Sequence, residues 1–240
     1  MKTIGLLGGM SWESTQVYYR QLNQLINQQL GGLHSAELVL VNVDFEPIEK
    51  LMVQGEWAQI ADILIKHCLQ IQAAGADFLL IATNTMHQLC QPIEQALDIP
   101  LLHIADAVGQ DISLQNKQKV GLLGTEFTME QAFYHERLST QFGIETITPN
   151  QVDRTTINQI IFKELCQGIF SESAKQCYLA IIDKLAAQGA EAVVLACTEI
   201  GLLINQTDSK VPLIDATESH IRKAVQLATT DQTSINTFSM

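Results

Sequence analysis

The chain states its main structural motif twice, in register. Ile4-Gly5-Leu6-Leu7-Gly8-Gly9 returns as Val120-Gly121-Leu122-Leu123-Gly124-Thr125. Gly75-Ala76-Asp77, followed by Phe78 to Thr85, returns as Gly189-Ala190-Glu191, followed by Ala192 to Glu199. Ile99-Pro100-Leu101-Leu102 returns as Val211-Pro212-Leu213-Ile214. The pairs are offset by 116, 114 and 112 residues, so a duplication of one folding unit is expected. Two equivalent half-sites can flank one small molecule from opposite sides. At the end of the second block the halves differ: Thr83 stands in one and Cys197 in the other.

Short apolar runs alternate with helical patterns, which predicts an α/β fold of two similar Rossmann-like lobes with mainly parallel sheets. Strands are expected at 3–7, 37–43, 78–82, 101–104, 119–123, 146–148, 192–196 and 212–214. Helices carry apolar residues at three- and four-residue steps, as from Tyr18 to Leu30, Trp57 to Ile71 and Ala174 to Leu185. Thr128-Met129-Glu130-Gln131 has capping-box spacing and is expected to open a helix. The first lobe is expected to comprise 1–104 and 215–240, the second 105–214, with the stretch 106–116 joining them.

The net charge of −12 and only four arginines leave no basic patch, so neither nucleic acid nor an anionic membrane is an expected partner. No apolar run reaches membrane-spanning length. Five cysteines without a CxxC pair fit a reduced, cytoplasmic protein. The six histidines are dispersed without ligand spacing, so no metal is expected. Gly5-x-x-Gly8-Gly9 and Asp44 do not have the spacing of a dinucleotide site.

Ligands in open α/β sheets bind beyond the carboxyl ends of strands. Met10, Thr83, Asn84, Thr85, Thr125, Cys197, Thr198 and Glu199 all fall at such ends. A cysteine at the start of a helix meets free amides that lower its pKa; the alternative is a buried structural thiol. Asn84, Thr85 and Thr198 suit a carboxylate, with helix capping as the alternative for the hydroxyls. Gly8-Gly9 allows close backbone approach to a ligand. His87, four residues after Thr83, could support Thr83 or Asn84 from one helical turn away.

Taken together, Gly8-Gly9-Met10-Ser11, Thr83-Asn84-Thr85-Met86-His87 and Gly189-Ala190 through Ala196-Cys197-Thr198-Glu199 resemble the cofactor-independent aspartate/glutamate racemase family over nearly the whole chain. The opening Gly8 to Thr15 is most similar to its broad-specificity amino-acid racemase subgroup. The resemblance implies two lobes about a pseudo-twofold axis with the active site between them, a carboxy-terminal helix returning to the first lobe, and a homodimer. It also implies a small amino-acid substrate and no cofactor. The family's chemistry is two-base racemisation by a pair of cysteines. Here the first cysteine is replaced by Thr83, whose hydroxyl can give a proton far better than it can take one. The resemblance therefore implies Cys197 as base, Thr83 as proton carrier, substrate contacts from Met10, Asn84, Thr85, Thr125, Thr198 and Glu199, and a preference for the L-enantiomer. Two alternatives stand beside it: an amino-acid-binding protein that has lost catalysis, and a maleate isomerase or arylmalonate decarboxylase on the same scaffold.

Overall fold

The computed structural model describes residues 1–230. The described chain divides into two compact units, Met1–His103 with 220–230, and Ile104–Ser219. Residues 231–240, expected in the first lobe, lie outside the described residues.

The first unit runs β1 (Ile4–Gly8), α1 (Trp12–Leu30), β2 (Leu38–Asn42), α2 (Phe45–Gln54), α3 (Trp57–Ala73), β3 (Phe78–Ile81), a 3-10 turn (Thr85–Leu89) and α4 (Cys90–Ala96). Its three strands are parallel in the order β2-β1-β3. β1 and β3 are buried throughout, because helices cover both faces of a parallel sheet. β2 is an edge strand and only partly buried.

The second unit runs α5 (Ile104–Leu114), β4 (Lys119–Gly124), α6 (Glu126–Glu130), α7 (Ala132–Phe142), β5 (Glu145–Ile147), α8 (Gln151–Lys163) and a 3-10 turn (Leu165–Gln167). It continues with α9 (Glu172–Ala187), β6 (Ala192–Ala196), α10 (Ile200–Leu203), a 3-10 turn (Gln206–Asp208), β7 (Leu213–Asp215) and the first turn of α11 (Ala216–Thr229). Its four parallel strands have the order β5-β4-β6-β7, in which β5-β4-β6 repeats β2-β1-β3 and β7 stands where the first unit has only the bridge from Leu101 to Leu79. The duplication thus extends from sequence to topology. Packing repeats it too. A Cβ on Gly5 would lie 2.4 Å from Ile71, and one on Gly121 2.8 Å from Leu185, so bare backbone lets α3 and α9 close on their central strands.

The carboxy-terminal helix belongs to the first unit over most of its length. Ile221, Ala224, Val225 and Ala228, one stripe at helical spacing, pack with Ile4, Leu6, Tyr18, Leu22, Phe78 and Leu80.

Three local expectations change. The strand at 101–104 shrinks to a single bridge from Leu101 to Leu79, because α5 begins at Ile104. The joining stretch 106–116 is mostly that helix, whose Ala105, Val108 and Ile112 pack into the second unit's core. The cap near residue 128 lies three residues earlier: Thr125 accepts from the Thr128 backbone N–H at 3.3 Å, and Thr128 sits buried inside α6. Among the described residues no helix is long and apolar enough to cross a membrane.

Candidate active site

In the second unit Cys197 follows directly from β6, a five-residue apolar strand with no exposed position. The strand's burial carries the cysteine with it, to 8% exposure. The chain then turns through Thr198 and Glu199 into the four-residue helix α10. That turn folds the Glu199 carboxylate back onto the strand end. Cys197 Sγ donates to Glu199 Oε2 at 3.0 Å, and Thr198 Oγ1 donates to the same oxygen at 2.8 Å. The other oxygen, Oε1, receives the Cys166 thiol at 3.9 Å. One buried carboxylate therefore gathers two thiols and a hydroxyl.

The electrostatics reverse the expectation of an acidified thiol. Burial, followed by the Glu199 charge, pushes Cys197 well above the ordinary thiol range. The amides of a four-residue helix do not offset that combination. Cys166 is raised by the same two causes in the same order. Cys197 thus rests as a thiol whose proton already points at its acceptor.

Thr125 lies at the neighbouring strand end, since Gly124 of β4 is register partner to Ala196 of β6. It is 8% exposed, its side chain caps α6, and its hydroxyl meets that of Thr128 at 3.1 Å.

In the first unit Thr83, Asn84 and Thr85 follow β3 as the 3-10 turn begins. Asn84 is 4% exposed, and both polar atoms of its carboxamide lack a hydrogen-bond partner. A buried amide left so costs about 1–3 kcal/mol. Thr85 is buried at the first position of the turn. His87 Nδ1 donates to the Thr83 carbonyl oxygen at 2.8 Å, which ties the turn to the residue expected to carry the proton.

Met10 is buried just beyond β1, before Ser11 caps α1. The adjacent glycines serve the fold itself. A Cβ on Gly8 would lie 2.3 Å from Thr15, and one on Gly9, at φ +98°, 2.2 Å from the Val43 carbonyl oxygen. The space a Cβ would take there is filled by the Thr15 side chain and the Val43 backbone.

Two residues near Cys197 escaped the sequence reading. Cys166 lies 31 positions earlier in a 3-10 turn, and Tyr178 lies in the apolar stripe of α9. Neither carries a local motif, and only the folded chain brings them to the strand end.

Comparison with known proteins bears on what such strand ends do. Residues 7–224 match the family model described as Asp/Glu/Hydantoin racemase. The chain belongs to the Asp/Glu/Hydantoin racemase family. The resemblance read from the three motifs is borne out, and with it an enzyme of the isomerase class. Among the family's relatives, the broad-specificity amino-acid racemase RacX of Bacillus subtilis is 23% identical over 226 residues, 89% of this chain and 92% of that one. A crystal structure of a provisionally assigned Asp/Glu racemase from Yersinia pestis is 49% identical, with a TM-score of 0.88 over 95% of this chain and 99% of that one. An aspartate racemase homologue from Pyrococcus horikoshii is 33% identical, with a TM-score of 0.82 over 95% of this chain and all of its own.

Proposed function

We propose that this family member is a cofactor-independent racemase of acidic amino acids, with Cys197 as the base that takes the α-proton and Thr83 as proton carrier for the opposite face. The observation that carries the reading is the 3.0 Å hydrogen bond from the Cys197 thiol to Glu199. Passage of that proton to Glu199 leaves a thiolate in a desolvated site, where it is a strong base. The α-ammonium of an arriving substrate favours the step, because a nearby positive charge stabilises the thiolate. Asn84 and Thr85, with the backbone amides of their turn, supply contacts for the substrate carboxylate. Met10, Thr125 and Thr198 complete the proposed set.

Thr83 makes the chemistry unequal. Inversion from L to D ends with Thr83 having given up its proton, and an alkoxide is costly near neutral pH. By microscopic reversibility inversion is therefore slow in both directions. Exchange by Cys197 alone, on the enantiomer whose α-hydrogen faces it, stays fast; we assign that enantiomer as L. A positioned base contributes about 10²–10⁴-fold, which sets the size of the gap.

Proton NMR in D₂O with both enantiomers of aspartate and glutamate tests this. Loss of the L-substrate α-proton should outpace both loss from the D-substrate and the appearance of inverted product by about 10²–10⁴-fold. Thr83→Cys should narrow that gap. Equal exchange from both enantiomers contradicts the role given to Thr83. L-Homoserine is the neutral comparison, since Arg137 is held by Asp106 at 2.6 and 2.7 Å and Lys50 by Glu46 at 3.0 Å. A homodimer is the assembly carried with this reading; a single-chain mass by light scattering contradicts it.

The single cysteine of the pair also favours a second reading, decarboxylation of a malonate-type acid, which needs one proton donor on one face. Carbon dioxide released from such a substrate, without α-proton exchange in amino acids, would select it.

A further inference from the structure

The racemase reading leaves a physical gap. A thiolate at Cys197 forms where burial opposes it; the Glu199 backbone N–H and, after the transfer, the protonated Glu199 carboxyl face it, and a further donor would lower its cost again. The Thr198 hydroxyl already donates to Glu199. Cys166 points at the same carboxylate.

Tyr178 is the candidate for that further donor. It lies on α9, which packs against β6, and belongs to the same cluster of packed side chains as Cys197. The residue is fully buried, and its hydroxyl has no hydrogen-bond partner. A buried phenol in that state is destabilising, and a core phenylalanine would fill the space without the cost. The duplication sharpens the point. Offset by the same 114 residues that relate Thr83 to Cys197, the counterpart of Tyr178 on α3 is Leu64, also fully buried. The half with threonine at the strand end has an aliphatic residue there, and the half with cysteine has a phenol.

We infer that Tyr178 is a positioning residue of the active site, its hydroxyl donating a hydrogen bond to the Cys197 thiolate once the thiol proton has passed to Glu199. The inference rests on the racemase reading for its role in turnover. The proton ledger is simple: one proton moves from Cys197 Sγ to Glu199 Oε2, and Tyr178 keeps its own. Burial, and after it the charge of Cys197, holds the phenol protonated far above neutral pH, so the donor persists throughout the working range. Hydrogen bonds to charged groups are the strong ones, so the contact is worth most in the thiolate state.

Tyr178→Phe tests it, with two readouts. The first is the pH dependence of carbamidomethylation at Cys197 by iodoacetamide, followed by the mass of the peptide that contains it. The midpoint should rise, with about tenfold less reactive thiolate at a given pH, the equivalent of one pKa unit. The second is α-proton exchange of L-aspartate in D₂O, where kcat should fall about tenfold, its pH profile displaced upward, with KM little changed. Melting temperature should hold or rise, because an unpartnered hydroxyl has been removed. Tyr134→Phe, which deletes the second unit's other unpartnered buried phenol, should move neither midpoint nor kcat. A Tyr178→Phe protein with the wild-type alkylation midpoint and pH profile overturns the inference. Should the wild-type protein exchange no α-proton at all, the racemase reading falls by itself, and the alkylation midpoint still decides what Tyr178 does to Cys197.

Discussion

Glu199 is the residue on which the chemistry turns, because it has two opposite effects on Cys197. Its charge raises the thiol, and its oxygen receives the proton. Glu199→Gln separates the two. The amide keeps hydrogen-bonding capacity but neither repels the thiolate nor takes a proton. Cys197 should then react faster with iodoacetamide at a given pH, while α-proton exchange falls by about 10²–10⁴-fold. Movement of both rates in the same direction contradicts this division of roles. Asn84 makes a second case. Its carboxamide is buried without partners. Asn84→Leu should hold or raise the melting temperature while raising KM for the amino acid, since the amide is costly to the empty protein. At this scale the sequence was informative wherever function follows strand position: the strand-end residues could be found because the duplication marks each end twice. It was silent where function depends on folding back. Nothing in Cys197-Thr198-Glu199 announces that the carboxylate returns to the thiol, or that Cys166 joins it from 31 residues away.

The elements repeat because their packing repeats, and the repeat is testable at one position in each unit. A methyl on Gly5 meets Ile71 at 2.4 Å with the Phe78 carbonyl oxygen and Ala76 both at 3.0 Å, while one on Gly121 meets chiefly the mobile end of Leu185 at 2.8 Å. Gly5→Ala should therefore cost more than Gly121→Ala, about 1–3 kcal/mol against a smaller loss, by chemical denaturation. The reverse order would mean that Ala76 and the Phe78 carbonyl oxygen do not confine the Gly5 site. Seven of the eight expected strands are present, and β1, β3, β4 and β6 were the most legible because a strand buried on both faces leaves a continuous apolar run. The eighth failed at 101–104, where the same apolar signal continues into α5 and periodicity cannot divide two short elements. The helix at the junction was hidden for a related reason: Asp106, Gln110 and Asp111 gave a linker's composition to a helix with one buried face.

For the molecule as a whole, pH enters stability through Asp215 at the end of β7. Its Oδ1 accepts the Thr217 and Glu218 backbone N–H groups at 2.7 and 3.0 Å, capping α11. Burial nonetheless outweighs those bonds and raises the carboxyl from 3.8 to about 6. The folded state therefore binds more protons than the unfolded chain between about pH 4 and 6. Stability from this group is full below the unfolded value and is lost as pH rises through the folded one, by about 3 kcal/mol. Asp215→Asn keeps an acceptor at the cap and should flatten that part of the curve in urea denaturation at pH 4 to 7. An identical slope in the variant would remove Asp215 as its source.

Carbanion chemistry at Cys197 stands or falls with α-proton exchange. Wild-type protein and Cys197→Ala would each be incubated with L-aspartate and L-glutamate in D₂O and followed by proton NMR. The α-proton signal should be lost with the wild type and should not fall beyond background with the variant. Equal exchange by the two proteins, or none by either, contradicts that chemistry.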